Sequence, residues 1–307
     1  MKRILSVYDV SPFIHAGHVN KRAFLEQLVQ KEIPGQSCTW SSQYTSAGGT
    51  AFLLKAAMTG TKRGDVVFCC DRNPTIKKDM LSSYKSNRDH PSSIENDKRL
   101  AEFVLQNCGA TVIAKPGYEA DDIITTLVQS VHNEYDEIHV YTSDSDLYFL
   151  VDDIVSIKPS SSRAKEVTMQ NYSTSFKKGV RMPYNFAVPY KMLYGDTSDC
   201  IPPMSKMYHD SFYDIIMRYA SMCNLGKRDV LESLVKDKLP DVLPSFNLIY
   251  PLEVDDIPVC FSKPNISLMI NWADLMHCGE FAGMASKDWD GDVLIAEVQR
   301  MGIYEED

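Results

Sequence analysis

Apolar positions along the chain fall into short β-branched or aromatic runs, separated by stretches with helical spacing. Residues 4–8 (Ile4 to Tyr8), 65–70 (Asp65 to Cys70) and 137–141 (Glu137 to Tyr141) read as buried strands, each ending at an acid or a small polar residue. Residues 111–114 and 154–157 are two further candidates. Helical patterns lie between them at 20–31, 49–59, 94–108 and 120–131. Strands alternating with helices predict an α/β fold with a mostly parallel central sheet flanked by helices. From about residue 183 helical segments dominate, at roughly 186–194, 209–222 and 228–236. Prolines at 240, 244, 251, 258 and 264 then predict a loop-rich wrap, followed by helices near 266–276 and 291–300.

Composition is globular: 307 residues, 44% hydrophobic and 24% charged. Length allows one large domain or two. The net charge of −9 first argues against a nucleic-acid partner, and its location reverses that argument. Residues 229–307 hold 16 acids and 5 bases, whereas residues 1–228 hold 27 bases and 25 acids. Eight scattered cysteines form no C-x-x-C pair and no zinc spacing, which fits a reducing, cytoplasmic setting. Asp9 interrupts the N-terminal apolar run too early for a signal peptide, and no window approaches the roughly 18 apolar residues of a membrane span.

The acids sit at element ends. Asp9 follows the first strand, Asp71 the second, and Asp144 and Asp146 the run 138–141. Glu119, Asp121 and Asp122 open the helix 120–131, while Asp196 and Asp199 lie after the helix 186–194. A lone acid in such a place is commonly a helix cap or turn former. Ligands of open α/β sheets, however, bind outside the carboxyl ends of the strands. Carboxylates gathered there repel and call for cations. Hard oxygen donors without His or Cys suit Mg²⁺ or Mn²⁺.

Six blocks occur in order: Tyr8-Asp9, Asp71-Arg72, Tyr84 to Arg88, Pro116 to Asp122, Thr142 to Asp146, and Gly195 to Pro202. Together, across roughly residues 4–204, they resemble the 5′-nuclease or flap endonuclease family. That family includes the N-terminal nuclease domain of bacterial DNA polymerase I and free-standing phage 5′–3′ exonucleases. The resemblance implies a first metal region of Asp9, Asp71, Glu119, Asp121, Asp144 and Asp146, and a second, looser one of Asp122, Asp196 and Asp199. It implies paired Mg²⁺ ions, one supplying hydroxide and the other steadying the leaving 3′-oxygen.

Residues 72–99 carry a net +3. Tyr84, Lys85 and Arg88 place an aromatic beside two cations, a combination suited to a single-stranded end. The plainer alternative is a solvated helix start with an ion pair to Asp89. The resemblance implies that Lys85 and Arg88 contact the scissile phosphate and that Tyr84 stacks on the adjoining nucleotide, with Arg72 a further nucleic-acid contact. It likens 86–99 to the arch through which a free 5′ end is threaded, mobile until DNA binds, and gives a nuclease core of residues 1–200 with the arch at about 76–99. Residues 201–307 would be a helical DNA-binding and C-terminal region. Residues 157–191 carry a net +6, including Lys158, Arg163 and Lys191, and read either as a solvated face or as a duplex-backbone contact.

The pattern also departs from the family. A glycine-containing helix-hairpin-helix ordinarily follows the Asp196–Asp199 block, but here Pro202 and Pro203 remove backbone donors and the glycines are missing. The duplex anchor is therefore degraded, leaving Ser205 and Lys206 as candidate phosphate contacts. Asp288 to Asp292 fails as a calcium loop, because the sixth position is Val293 and the twelfth Gln299. His15 and His18 read as surface residues, Trp272 and Met276 as helix core. The expected protein is a monomeric, stand-alone, phage-type Mg²⁺-dependent 5′–3′ exonuclease and flap endonuclease. It would act on 5′ flaps, free 5′ ends and RNA primers on DNA, beside replication-fork proteins. The alternatives are a catalytically silent DNA-binding member and a PIN-type RNase.

Overall fold

The computed structural model describes residues 2–17, 48–88, 92–160, 165–172, 187–221 and 228–275. The expected helices at 20–31 and 291–300, His18, Arg163, Met276 and Asp288 to Asp292 lie outside them. Five strands form one parallel sheet: β1 (Ile4–Asp9), β2 (Asp65–Cys70), β3 (Thr111–Ala114), β4 (Glu137–Tyr141) and β5 (Val155–Lys158), in the order β3-β2-β1-β4-β5. All five correspond to runs read from the sequence. Val7 pairs with Val67 on one side and Val140 on the other, so β1 is the central strand. Connections run outward from it in both directions. The chain therefore reverses its winding between β1 and β4, and a crevice opens there at the carboxyl edge.

Strand side chains alternate between two cores. Leu5, Val7, Val67 and Cys69 face one side and pack with Ile123 and Leu127 of the helix Ala120–Val131. Tyr8, Val66, Phe68 and Cys70 face the other, against Leu53 and Ala57 of the helix Gly48–Arg63 and Val104 and Leu105 of the helix Ser92–Asn107. Each such side chain contributes about 1.5–3 kcal/mol by leaving water. Tyr8 stacks on Tyr141 at 4.2 Å between ring centroids, tying β1 to β4 beside the crevice. The described cysteines are free thiols.

The C-terminal half is helical, with Ala187–Tyr194, His209–Ser221, Arg228–Lys238 and Ile266–Leu275 close to expectation. Leu243–Ile249 is an additional helix in the proline-rich stretch. Pro244 occupies its first turn, where a missing N–H breaks no bond. Residues 251–265 are irregular as expected and strap the domain: Leu252 N donates to Asp122, Val254 N to Thr126, and Asn265 N to the Cys108 carbonyl. Trp272 is buried against the helix Gly48–Arg63 side of the sheet, as its pattern implied.

Of the segment likened to the arch, residues 92–99 belong to the helix Ser92–Asn107, close to the helix expected at 94–108, and this helix is held against its neighbour. The reason is Asp97, fully buried, whose carboxylate accepts from Gly49 N at 2.8 Å and Thr50 N at 3.0 Å and so caps the neighbouring helix. Residues 89–91 lie outside the described residues.

Candidate metal centre

Asp9 ends β1 and is buried, 4% exposed. Its Oδ2 accepts from the Thr142 hydroxyl at 2.9 Å, the Ser11 amide also favours its charged form, and its buried Oδ1 makes no hydrogen bond of ordinary geometry. Asp71 directly follows β2, accepting from Ala120 N at 2.9 Å and from the Ser11 hydroxyl. Asp144 follows β4, with its amide donating to Thr142 Oγ1 and its carboxylate accepting from Asp146 N. Asp121 enters from the first turn of the helix Ala120–Val131. Burial, then the charges of Asp71 and Asp144, push the Asp9 carboxyl well above its ordinary range. Burial, then Asp144 and Asp9, do the same to Asp121. The charges of these acids therefore act on one another at the switch point, although among the described residues the acids whose carboxylate oxygens all lie within 4.8 Å of one another are Asp146, Asp196 and Asp199. A buried carboxylate oxygen with no ordinary hydrogen bond, amid repelling neighbours, fits a hard divalent cation.

A second group lies beside these four acids. Asp146, Asp196 and Asp199 bring carboxylate oxygens within 4.8 Å of one another. Lys191, in the last turn of the helix Ala187–Tyr194, donates to Asp146 and, at 2.5 Å, to Asp196. Burial and Asp144 outweigh Lys191 at Asp146 and push its carboxyl up to about 8. At Asp196 burial is outweighed by bonds from Lys191 and Ser198, and the shift is downward. Gly195 holds the loop with φ +72°. A Cβ there would lie 2.6 Å from the Ile201 carbonyl oxygen and the Pro203 nitrogen.

Glu119 stands between the groups and is saturated by donors: Lys77 at 2.9 Å, the Tyr84 hydroxyl at 2.7 Å, and Lys85. Burial would raise its carboxyl, but Lys77 and Lys85 overcome that and hold it at about 2. Lys85 also lies 3.7 Å from Asp199, and Arg88 bonds Asp199 at 2.5 Å.

Several expected roles change. Asp122 does not join the second group: its oxygens accept from Glu119 N, Leu252 N and Lys77, so it is a structural anchor of the helix start and the C-terminal strap. Asp146 groups with Asp196 and Asp199 rather than with Asp9. Tyr84 offers no face to a base, being 2% exposed in the core beneath Lys85, and its hydroxyl positions Glu119. Arg88 pairs with Asp199; Asp89 lies outside the described residues. Arg72 points to Glu102 on the helix Ser92–Asn107. Lys158 pairs with Glu166. Lys206 is exposed in the turn Lys206–Tyr208, and the structure gives it no link to either acidic group.

Sequence reasoning misses Lys77 and Lys191 as site residues: Lys77 enters it only through the net charge of residues 72–99, and Lys191 as part of the basic stretch 157–191. Only one signal was present for Lys191: it lies one helical turn before the Gly195 loop. Thr142, the hydroxyl bridge between Asp9 and Asp144, lies in the Thr142 to Asp146 block, where its residue type alone gives no sign of that role.

A parallel α/β sheet with acidic groups at its switch point places a cation- or ligand-binding site at the carboxyl edge. The family model described as "5'-3' exonuclease, N-terminal resolvase-like domain" matches residues 21–178, just over half the chain, and the chain belongs to that family. DNA polymerase I of Thermus thermophilus is 29% identical over 218 residues, covering 66% of this chain and 25% of the polymerase. A 5'-3' exonuclease of Bacillus subtilis is 32% identical over 162 residues, covering 52% of this chain and 54% of that protein. The chain thus spans a quarter of the polymerase's length and about half of the exonuclease's. A bacteriophage T5 protein co-crystallized with metal ions superposes with a TM-score of 0.51 at 15% identity, covering 99% of this chain and 100% of that one. The T5 flap endonuclease in complex with DNA and metal ions gives 0.51 at 14%, covering 98% and 100%. These two share the fold. No helix among the described residues is long and apolar enough to cross a membrane.

Proposed function

We propose that the protein is a divalent-cation-dependent 5′ nuclease that hydrolyses phosphodiesters in DNA carrying a 5′ flap or free 5′ end. The observation that carries this reading is the convergence of Asp146, Asp196 and Asp199, whose carboxylate oxygens lie within 4.8 Å of one another, beside Asp9, Asp71, Asp121 and Asp144 at the carboxyl edge of the sheet. These four would hold one cation, and Asp146, Asp196 and Asp199 a second. Mg²⁺ is the ion the donor set favours, with Mn²⁺ a substitute. Bound cations supply a hydroxide at neutral pH and neutralise the leaving oxygen.

The chain's own residues do the rest. Thr142 orients Asp9 and Asp144 together. Lys85 and Arg88, bonded here to Glu119 and Asp199, exchange a carboxylate for phosphate oxygens when substrate enters, keeping charge-assisted bonds throughout. The family includes polymerase I relatives, which supports a role in removing flaps and RNA primers during replication.

The test is a 5′-labelled flap DNA incubated with and without Mg²⁺. Cation-dependent release of short 5′ products is expected. Tight flap binding without cleavage in Mg²⁺ or Mn²⁺ would instead indicate a silent DNA-binding member, and cleavage confined to RNA a PIN-type RNase.

A further inference from the structure

The two acidic groups differ in what relieves their charge. In the first, relief comes mainly from hydroxyls and amides, Thr142 on Asp9 and Ser11 and Ala120 on Asp71, with the charge of Lys85 acting on Asp121 and the Lys98 ammonium 4.0 Å from Asp71. In the second, cationic side chains sit on the oxygens a cation would need: Arg88 bonds Asp199 at 2.5 Å with Lys85 3.7 Å away, and a single ammonium holds the other two acids. Lys191 Nζ bonds Asp146 Oδ1 and Asp196 Oδ2, and Asp199 completes the triad. Lys191 is 14% exposed on its side chain and lines the same cavity as Asp121, Asp146 and Asp199.

An ammonium and a divalent cation compete for these carboxylates. Both need direct contact with Asp146 and Asp196, and they repel each other at that distance. Resting on the metal-dependent reading above, we infer that Lys191 is a built-in counter-ion that occupies the second cation position, so that a divalent cation enters there only by displacing it. The two positions are then unequal. The Asp9 group fills first. The Asp146–Asp196–Asp199 group fills only when the lysine swings away on its flexible stem, which frees its three donors for an incoming anion. Lys191 is thereby a positioning residue whose effect is on cation occupancy.

The experiment is calorimetric titration of the full chain with Mn²⁺ alone, for the wild type, Lys191→Gln and Lys191→Arg. The wild type should show one tight site and a second at least about tenfold weaker. Lys191→Gln should bind the second ion at least about tenfold more tightly, leaving the first site unchanged, whereas Lys191→Arg should resemble the wild type. Thermal unfolding provides the companion readout. Without divalent ions Lys191→Gln should melt lower than the wild type, because Asp146 and Asp196 lose their counter-ion; adding Mn²⁺ should raise its midpoint by more than it raises the wild type's. Equal stoichiometry and affinities in the wild type and Lys191→Gln would overturn the inference while leaving the nuclease reading standing. Absence of Mn²⁺ binding in both would overturn the two together.

Discussion

The Lys77 ammonium stands 2.9 Å from Glu119 Oε2 and 3.0 Å from Asp122 Oδ1, on a lysine only 3% exposed. It fastens the helix Thr75–Met80 to the start of the helix Ala120–Val131, and so fixes where Glu119 and Asp121 emerge. A lysine is buried this completely only when its charge is matched, and here two carboxylates match it.

Replacing Lys77 by Met should therefore destabilise the protein by about 3–5 kcal/mol, the cost of leaving buried carboxylates uncompensated. Urea unfolding measures this directly. Were Lys77 a surface cation contacting DNA, the same substitution would leave the urea midpoint where it was and weaken DNA binding alone.

Tyr84 gives a sharper separation of roles. Its hydroxyl donates to Glu119 at 2.7 Å and lies 3.3 Å from Asp199. Tyr84→Phe keeps the ring and deletes those bonds, so it should cost about 1–3 kcal/mol of stability. Stability equal to wild type in Tyr84→Phe, with weakened single-strand binding in Tyr84→Leu, would restore the ring as a base platform.

Lys85 is poised differently. Burial would lower its pKa, but Glu119 and Asp199 outweigh that and raise it, so the side chain stays cationic through neutral pH. Lys85→Ala should slow single-turnover cleavage by roughly 10²–10³-fold. Lys77 and Tyr84 still hold Glu119, so cooperative unfolding should persist. Wild-type turnover in Lys85→Ala would remove it from the phosphate contact.

At the first acidic group the sign of a charge deletion depends on the cation. Asp144 raises the carboxyls of both Asp9 and Asp121, so it costs folding energy while no cation is bound. In a chelator Asp144→Asn should melt above the wild type. In excess Mg²⁺ the order should reverse, because a cation bound to the folded state stabilises the wild type more. Cleavage should be lost while flap binding persists. Midpoints that keep one order in both conditions would refute a cation site at Asp144.

The sheet and the acidic edge were legible because both are local: a strand shows in five residues and an acid at its end in one more. The cationic scaffold of the site was not. Lys77 and Lys191 look like ordinary surface lysines until acids 42 and 45 positions away in sequence close over them. Tyr84 fails for the same reason, since its aromatic-next-to-cation pattern suits a base platform and a buried hydroxyl donor equally. Asp122 is indistinguishable in sequence from Asp121; one helical step turns one toward the acidic group and the other toward the amides of Glu119 and Leu252.

Gly195 is where backbone geometry limits the second acidic group. With φ at +72°, an L-residue costs about 1–2 kcal/mol, and an added Cβ meets the Ile201 oxygen and the Pro203 nitrogen, which are backbone and cannot swing aside. The displacement falls on Asp196, whose amide and carbonyl both pair with Ile201, and hence on the spacing of the Asp146–Asp196–Asp199 oxygens. Gly195→Ala should therefore leave a folded protein of modestly lower melting temperature. Its half-maximal Mg²⁺ concentration for cleavage should rise several-fold or more, and the rate at saturating Mg²⁺ should fall. An unchanged Mg²⁺ dependence would show that the Asp196–Asp199 loop is not held to its geometry by this glycine.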